Sequence, residues 1–159
     1  MMDIAQLRWE DIDERAIRFI REKTKRTKKG DPLTITAARN SHINTILAKW
    51  GKKDADPDAY VFNIIGTSVS PKSARSKIQQ FTKLVNKWMK RIGEDLRFNL
   101  TLTTYVARHS FATILLRSGA PITFASQSLG HSNVITTQKY FAGFDLEAQT
   151  EYSKALVNF

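Results

Sequence analysis

From Ser70 to Tyr140 the chain is written almost entirely in helical periods, and nothing else in it limits the possible folds as strongly. Ser70-Pro71 joins a capping hydroxyl to a proline at the first helical position, where a missing N–H costs nothing. Ile78, Phe81, Leu84, Val85, Trp88, Met89 and Ile92 then mark one apolar face, with Lys72, Arg75, Lys77, Lys83, Lys87 and Lys90 largely elsewhere. Thr104–Ser118 is the most apolar of these segments and is stopped by Gly119. Pro121–Leu129 is a shorter helix ended by Gly130, and Ser132–Tyr140 reads as another. The period changes only near the start. Asp11–Arg21 alternates and carries β-favouring residues, as does Leu33–Thr36, and between them lies a hairpin tip with six Lys/Arg in residues 21–30. Asp3–Trp9 reads as the last turns of a helix with Ile4 and Leu7 inward. Asn40–Trp50 reads as a helix with Ile43, Ile46, Leu47 and Trp50 at helical spacing, and Asp145 caps a last helix. The expected fold is α+β and mainly α, with a small three-stranded antiparallel sheet near the N-terminus. A length of 159 residues fits one domain, and no repeat, low-complexity segment or internal boundary divides it.

Charge narrows the partners. The chain holds 25 Lys+Arg against 15 Asp+Glu, a net charge of +10. Residues 59–144 hold 11 of those cations but only Glu94 and Asp95, and residues 96–144 contain no carboxylate. Folding does not demand such depletion, whereas a surface that meets phosphates does. A basic face without a partner is the plainer reading; a polyanion is favoured. The absence of cysteine excludes disulfides, thiol nucleophiles and thiolate metal sites. No apolar run approaches the ~20 residues of a membrane span, and Met1–Arg15 is too acidic for a signal peptide. There is no phosphate-cradling glycine motif, and His42, His109 and His131 form no ligand set, so neither cofactor nor metal is expected.

Within Thr104–Thr113, Arg108 stands among Val106, Ala107, Phe111 and Ala112. A guanidinium in such surroundings requires an anion. A distant carboxylate could serve, but a phosphate matches its bidentate geometry better. Downstream, Leu129-Gly130-His131 forms a helix junction and Tyr140 follows. Taken singly, His131 is a structural histidine and Tyr140 a packing tyrosine; His109 likewise reads as packing.

Taken in order, Arg108, Leu129-Gly130-His131 and Tyr140 resemble the tyrosine site-specific recombinases, the phage integrase family. Asp3-Ile4-Ala5-Gln6-Leu7-Arg8-Trp9-Glu10-Asp11-Ile12-Asp13 resembles that family's helix leading into its first strand, and Lys23-Thr24 its β-hairpin lysine. The resemblance runs from Asp3 to about Phe141. It implies that Tyr140 attacks a DNA phosphodiester to give a 3′-phosphotyrosine and a free 5′-hydroxyl, with no cofactor. Arg108 then stabilises the charge on the phosphate, His131 hydrogen-bonds it or moves a proton, and Lys23 is the general acid for the leaving oxygen. Tyr105 stands where the family usually has histidine, and orients the site.

Further expectations follow from the resemblance. Lys25, Arg26, Lys72, Arg75 and Lys77 are candidate DNA contacts, with a solvated loop or helix face as the alternative for each. The family's first catalytic arginine falls one position before Met1, so residues 1–159 would form one partial catalytic domain, inactive alone, without the core- and arm-binding domains that precede it. The partner implied is double-stranded DNA, with a homo-tetramer on DNA for the whole protein and a monomer for this chain. Its setting would be the cytoplasm of a bacterium, on nucleoid DNA, bacterial or phage-encoded. A type IB topoisomerase-like domain and a non-catalytic DNA-binding module are the rivals.

Overall fold

The sheet starts at Asp13, whose carboxylate accepts the N–H groups of Arg15 and Ala16, both at 2.8 Å. This side-chain turn reverses the chain into β1, Ala16–Ile20. β1 runs antiparallel to β2, Thr34–Ala38, with Ala16 opposite Ala38 and Ile20 opposite Thr34. Ile17, Phe19, Ile35 and Ala37 share the covered face, and Arg18, Ile20, Thr34 and Thr36 the open one. The computed structural model describes residues 1–22, 33–53, 56–66, 68–131, 133–138, 140, 150 and 153–154. They belong to two compact units, Met1–Arg108 and His109–Phe159.

In the first unit, α1 is Met2–Ala5, followed by a 3-10 turn at Trp9–Asp11. The helix expected over Asp3–Trp9 stops early because the Asp11 carboxylate takes the Arg8 N–H at 2.9 Å and nucleates the separate turn. Leu7 is buried as expected, but Ile4 faces solvent. The three-stranded sheet is also corrected: two strands are present among the described residues. The remaining pairings are single bridges, Ile12 with Ile17 and Arg8 with Tyr60. The tight turn at Asp13, closed by its own N–H on the Ala16 carbonyl, leaves space for one pair rather than a strand.

Asn40 caps α2, Ser41–Trp50, by accepting the Ile43 N–H at 2.9 Å. Ser70 caps α3, Pro71–Asp95, through the Ser73 N–H at 3.3 Å, with Pro71 at the first position as expected. Leu7, Leu47 and Val61 form one core cluster, over which Trp9, Phe19 and Phe62 pack; Ala5, Ile65 and Ile78 form a second. The apolar faces are less covered than their spacing suggests. Ile46 and Trp50 on α2, and Leu84, Trp88 and Ile92 on α3, are exposed. Gly93 lets the loop after α3 fold back, since a Cβ there would stand 3.1 Å from Leu102 Cγ.

α4, Thr104–Arg117, begins in the first unit and continues into the second. The second unit adds α5, Ile122–Ser128, and α6, Val134–Gln138, which pack on each other. Both lie inside the segments expected from Pro121–Leu129 and Ser132–Tyr140. Ala112, Ala125, Leu129 and Thr137 are buried. The hairpin tip and Asp145, with the start of its expected helix, fall outside the described residues. Among the described residues, no helix is long and apolar enough to cross a membrane.

Candidate active site

Tyr105 and Arg108 lie in the first unit, three residues apart on α4 and so on adjacent positions of one helix face. Two side-chain bonds hold the start of this helix. Asn86 Oδ1 on α3 accepts the Thr104 N–H at 2.9 Å, and Thr103 Oγ1 accepts the Val106 N–H at 3.3 Å. Tyr105 is 62% exposed, while Arg108 is only partly so.

At the base of the expected hairpin, Asp3 gathers the chain leaving β1. Its carboxylate accepts the Glu22 N–H at 3.2 Å and pairs with Arg21 Nε at 3.6 Å. Lys23, Lys25 and Arg26 come next and lie outside the described residues. On α3, Lys72, Arg75 and Lys77 are all exposed. Lys77 has a local task as well, since its Nζ donates to the Ile65 carbonyl at 2.7 Å.

In the second unit, His131 follows a helix end. α5 closes in a paired C-terminal motif: the Gly130 N–H bonds the Gln127 carbonyl at 2.8 Å, and the His131 N–H bonds the Ser126 carbonyl at 2.9 Å. The motif needs a left-handed residue, and Gly130 supplies it with φ +62°. His131 is thereby delivered at a defined angle. Its Nδ1 lies 2.8 Å from Thr137 Oγ1 on α6. Gly130→Ala is expected to lower stability by about 1–2 kcal/mol, because a Cβ strains the left-handed conformation. Thermal unfolding checks it; an unchanged Tm counts against this account of the motif.

Tyr140 follows α6, and its N–H bonds the Thr137 carbonyl at 2.9 Å. Its ring is stacked near His131, with centroids 6.0 Å apart and planes at 16°. On its other contact the His109 ring stands 4.6 Å away, tilted at 52°. The structure thus gathers His131 and Tyr140, two of the residues the sequence singles out, and adds two that it does not. His109 reads as packing in the sequence and is a ring neighbour of Tyr140. Thr137 gives no sequence signal beyond standing three residues before Tyr140, one helical turn away. A phenol is a weak nucleophile until its proton is taken, and imidazoles beside it are the usual acceptors. Among the described residues no cluster of three or more His, Asp or Glu is placed to hold a metal ion.

Residues 1–146 match the model of the phage integrase family. The chain belongs to this family. Within it, the chain is 32% identical over 143 residues to a tyrosine recombinase XerD of Staphylococcus epidermidis, which covers 87% of this chain and 43% of that one. A 54-residue stretch is 46% identical to the XerD recombinase of Staphylococcus haemolyticus, 34% of this chain and 18% of that one. Among solved structures the fold is similar to that of XerA recombinase, with a TM-score of 0.62 at 24% identity over 96% of this chain and 52% of the other. It is also similar to that of the Tn1549 transposon integrase in complex with a circular intermediate DNA. There the TM-score is 0.64 at 15% identity, over 97% of this chain and 53% of that one. The chain therefore spans about half the length of these relatives or less. The mainly helical α+β architecture with a small antiparallel sheet is common to them.

Proposed function

We propose that this chain is the catalytic domain of a DNA breaking and rejoining enzyme that performs site-specific recombination or integration. The observation that carries the reading is the setting of Tyr140 beside His131, an imidazole whose Nδ1 is already committed to Thr137. Membership of the phage integrase family supplies the chemistry to which that setting is suited.

In this reading, Tyr140 Oη attacks a DNA phosphorus as its proton passes to the neighbouring His131 imidazole. The bond from phosphorus to the 5′-oxygen breaks, and a 3′-phosphotyrosine and a 5′-hydroxyl result. Lys23 gives the proton that the leaving 5′-oxygen takes up. Negative charge on the non-bridging oxygens is met by Arg108, and His131 Nε2 hydrogen-bonds the same phosphate. Tyr105 orients the site from one turn before Arg108. Attack by the 5′-hydroxyl of another strand reverses the step, so rejoining consumes no nucleotide and needs no metal.

Double-stranded DNA is the partner. Lys25, Arg26, Lys72, Arg75 and Lys77 contact phosphates, which suits the carboxylate-free stretch 96–144 that holds Arg108. The whole protein acts as a homo-tetramer on DNA in the bacterial cytoplasm, and this chain alone is a monomer.

The test incubates the full-length protein encoded by its gene with nicked duplexes taken from the DNA flanking that gene. A denaturation-resistant protein–DNA adduct is expected. Relaxation of supercoiled DNA without site preference would favour the topoisomerase reading. Salt-sensitive binding without adduct would leave a binding module.

A further inference from the structure

Thr137 belongs to none of the groups to which the proposed chemistry assigns a role, yet it touches two of them. Its hydroxyl is 2.8 Å from His131 Nδ1, and its carbonyl accepts the Tyr140 N–H at 2.9 Å. The residue is fully buried, at 0% exposure, on a helix of only five residues. A buried hydroxyl must be bonded, so an imidazole partner is a strong geometric constraint on both groups. The bond falls on the inner nitrogen of a ring whose main chain is already held by the α5 terminus.

We propose that Thr137 is a positioning residue that couples the imidazole of His131 to the main chain of Tyr140. Its hydroxyl, which can give or take the proton of this bond, holds His131 in one ring orientation. Its carbonyl sets the path by which the chain turns from α6 into Tyr140. One buried residue, through its side chain and its carbonyl, therefore fixes the separation of the two rings, 6.0 Å between centroids. Partners that orient a metal-binding histidine through its second nitrogen matter by about 10–100-fold in activity, and an effect of that order is expected here. The coupling to catalysis rests on the function proposed above; the coupling of the two side chains does not.

Two substitutions separate hydroxyl from volume. Thr137→Val keeps the shape and removes the bond, whereas Thr137→Ser keeps the bond. Nuclear magnetic resonance of the protein labelled at the histidine ring nitrogens reads the bond at Nδ1 directly, under conditions where the imidazole is neutral. Wild type and Thr137→Ser are expected to show the His131 Nδ1 shift of a hydrogen-bonded nitrogen, and Thr137→Val that of a nitrogen released from the bond. The rate of adduct formation on nicked duplex is expected to fall about 10–100-fold in Thr137→Val and to recover in Thr137→Ser, with DNA affinity unchanged.

A wild-type His131 Nδ1 with the shift of an unbonded nitrogen overturns the proposal, and this measurement stands even if Thr137→Val does not fold. Identical His131 signals in wild type and Thr137→Val overturn it too, as does an unchanged rate in Thr137→Val where wild type forms adduct. If wild type forms no adduct, the recombinase reading fails by itself, and the ring-nitrogen spectra still decide the role of Thr137.

Discussion

Tyr140→Phe is expected to remove all covalent adduct with nicked DNA while DNA affinity stays within about two-fold of wild type. The substitution deletes one oxygen and keeps the ring, so the stack on His131 and the contact with His109 have no reason to change. The N–H bond to Thr137 is a main-chain bond and survives as well. What disappears is the only atom that can join this residue to phosphorus, which makes the effect complete rather than graded. Gel electrophoresis under denaturing conditions measures the adduct, and a salt titration measures the affinity. Adduct persisting in Tyr140→Phe would sink the assignment of the nucleophile and send the search to other hydroxyls. Tyr105, 62% exposed on α4, would be examined first.

Arg108→Lys is expected to slow adduct formation by about 10²–10³-fold, the usual loss when one donor to a developing oxyanion is removed. Lysine keeps the charge but not the planar pair of donors that meets two phosphate oxygens together. Binding of the duplex, spread over many cations, should change little. The rival reading, in which Arg108 is a structural ion-pair partner, predicts the reverse: a fall in Tm with a normal rate in the protein that remains folded. Thermal unfolding and single-turnover kinetics on the same preparations distinguish the two. A normal rate with normal stability would remove Arg108 from the site altogether.

Much of this architecture is legible in the sequence because helix ends are decided locally. Ser70-Pro71 does start a helix, and Gly130 does take the left-handed conformation that terminates another. Each depends on groups within one or two turns of chain, which capping and glycine chemistry govern directly. The same locality explains the N-terminal misreading. Asp3–Trp9 contains adequate helix formers, but the Asp11 carboxylate captures the Arg8 N–H and begins a different turn. The competing acceptor stands outside the segment on which the periodicity was counted. The third strand fails for a related reason, since the Asp13 turn confines that pairing to Ile12 and Ile17.

Burial is less legible. Leu84, Trp88 and Ile92 repeat at helical spacing as well as any core residues, yet all three are exposed. Spacing places residues on a common face; what covers the face depends on elements distant in sequence.

The family motif divides along the same line. The order Arg108, Leu129-Gly130-His131, Tyr140 is a property of the linear chain, and it was enough to indicate the family, the nucleophile and the DNA partner proposed for it. The sequence by itself also determined where the helices around these residues stop, because those ends rest on interactions a few residues long. Only the tertiary structure decided that the His109 ring stands 4.6 Å from Tyr140, and that a buried threonine joins His131 to the same tyrosine. Contacts of this kind arise from helix packing, in which the neighbours of a ring are chosen by the angles and separations of several elements at once. No period or spacing within one segment carries that information.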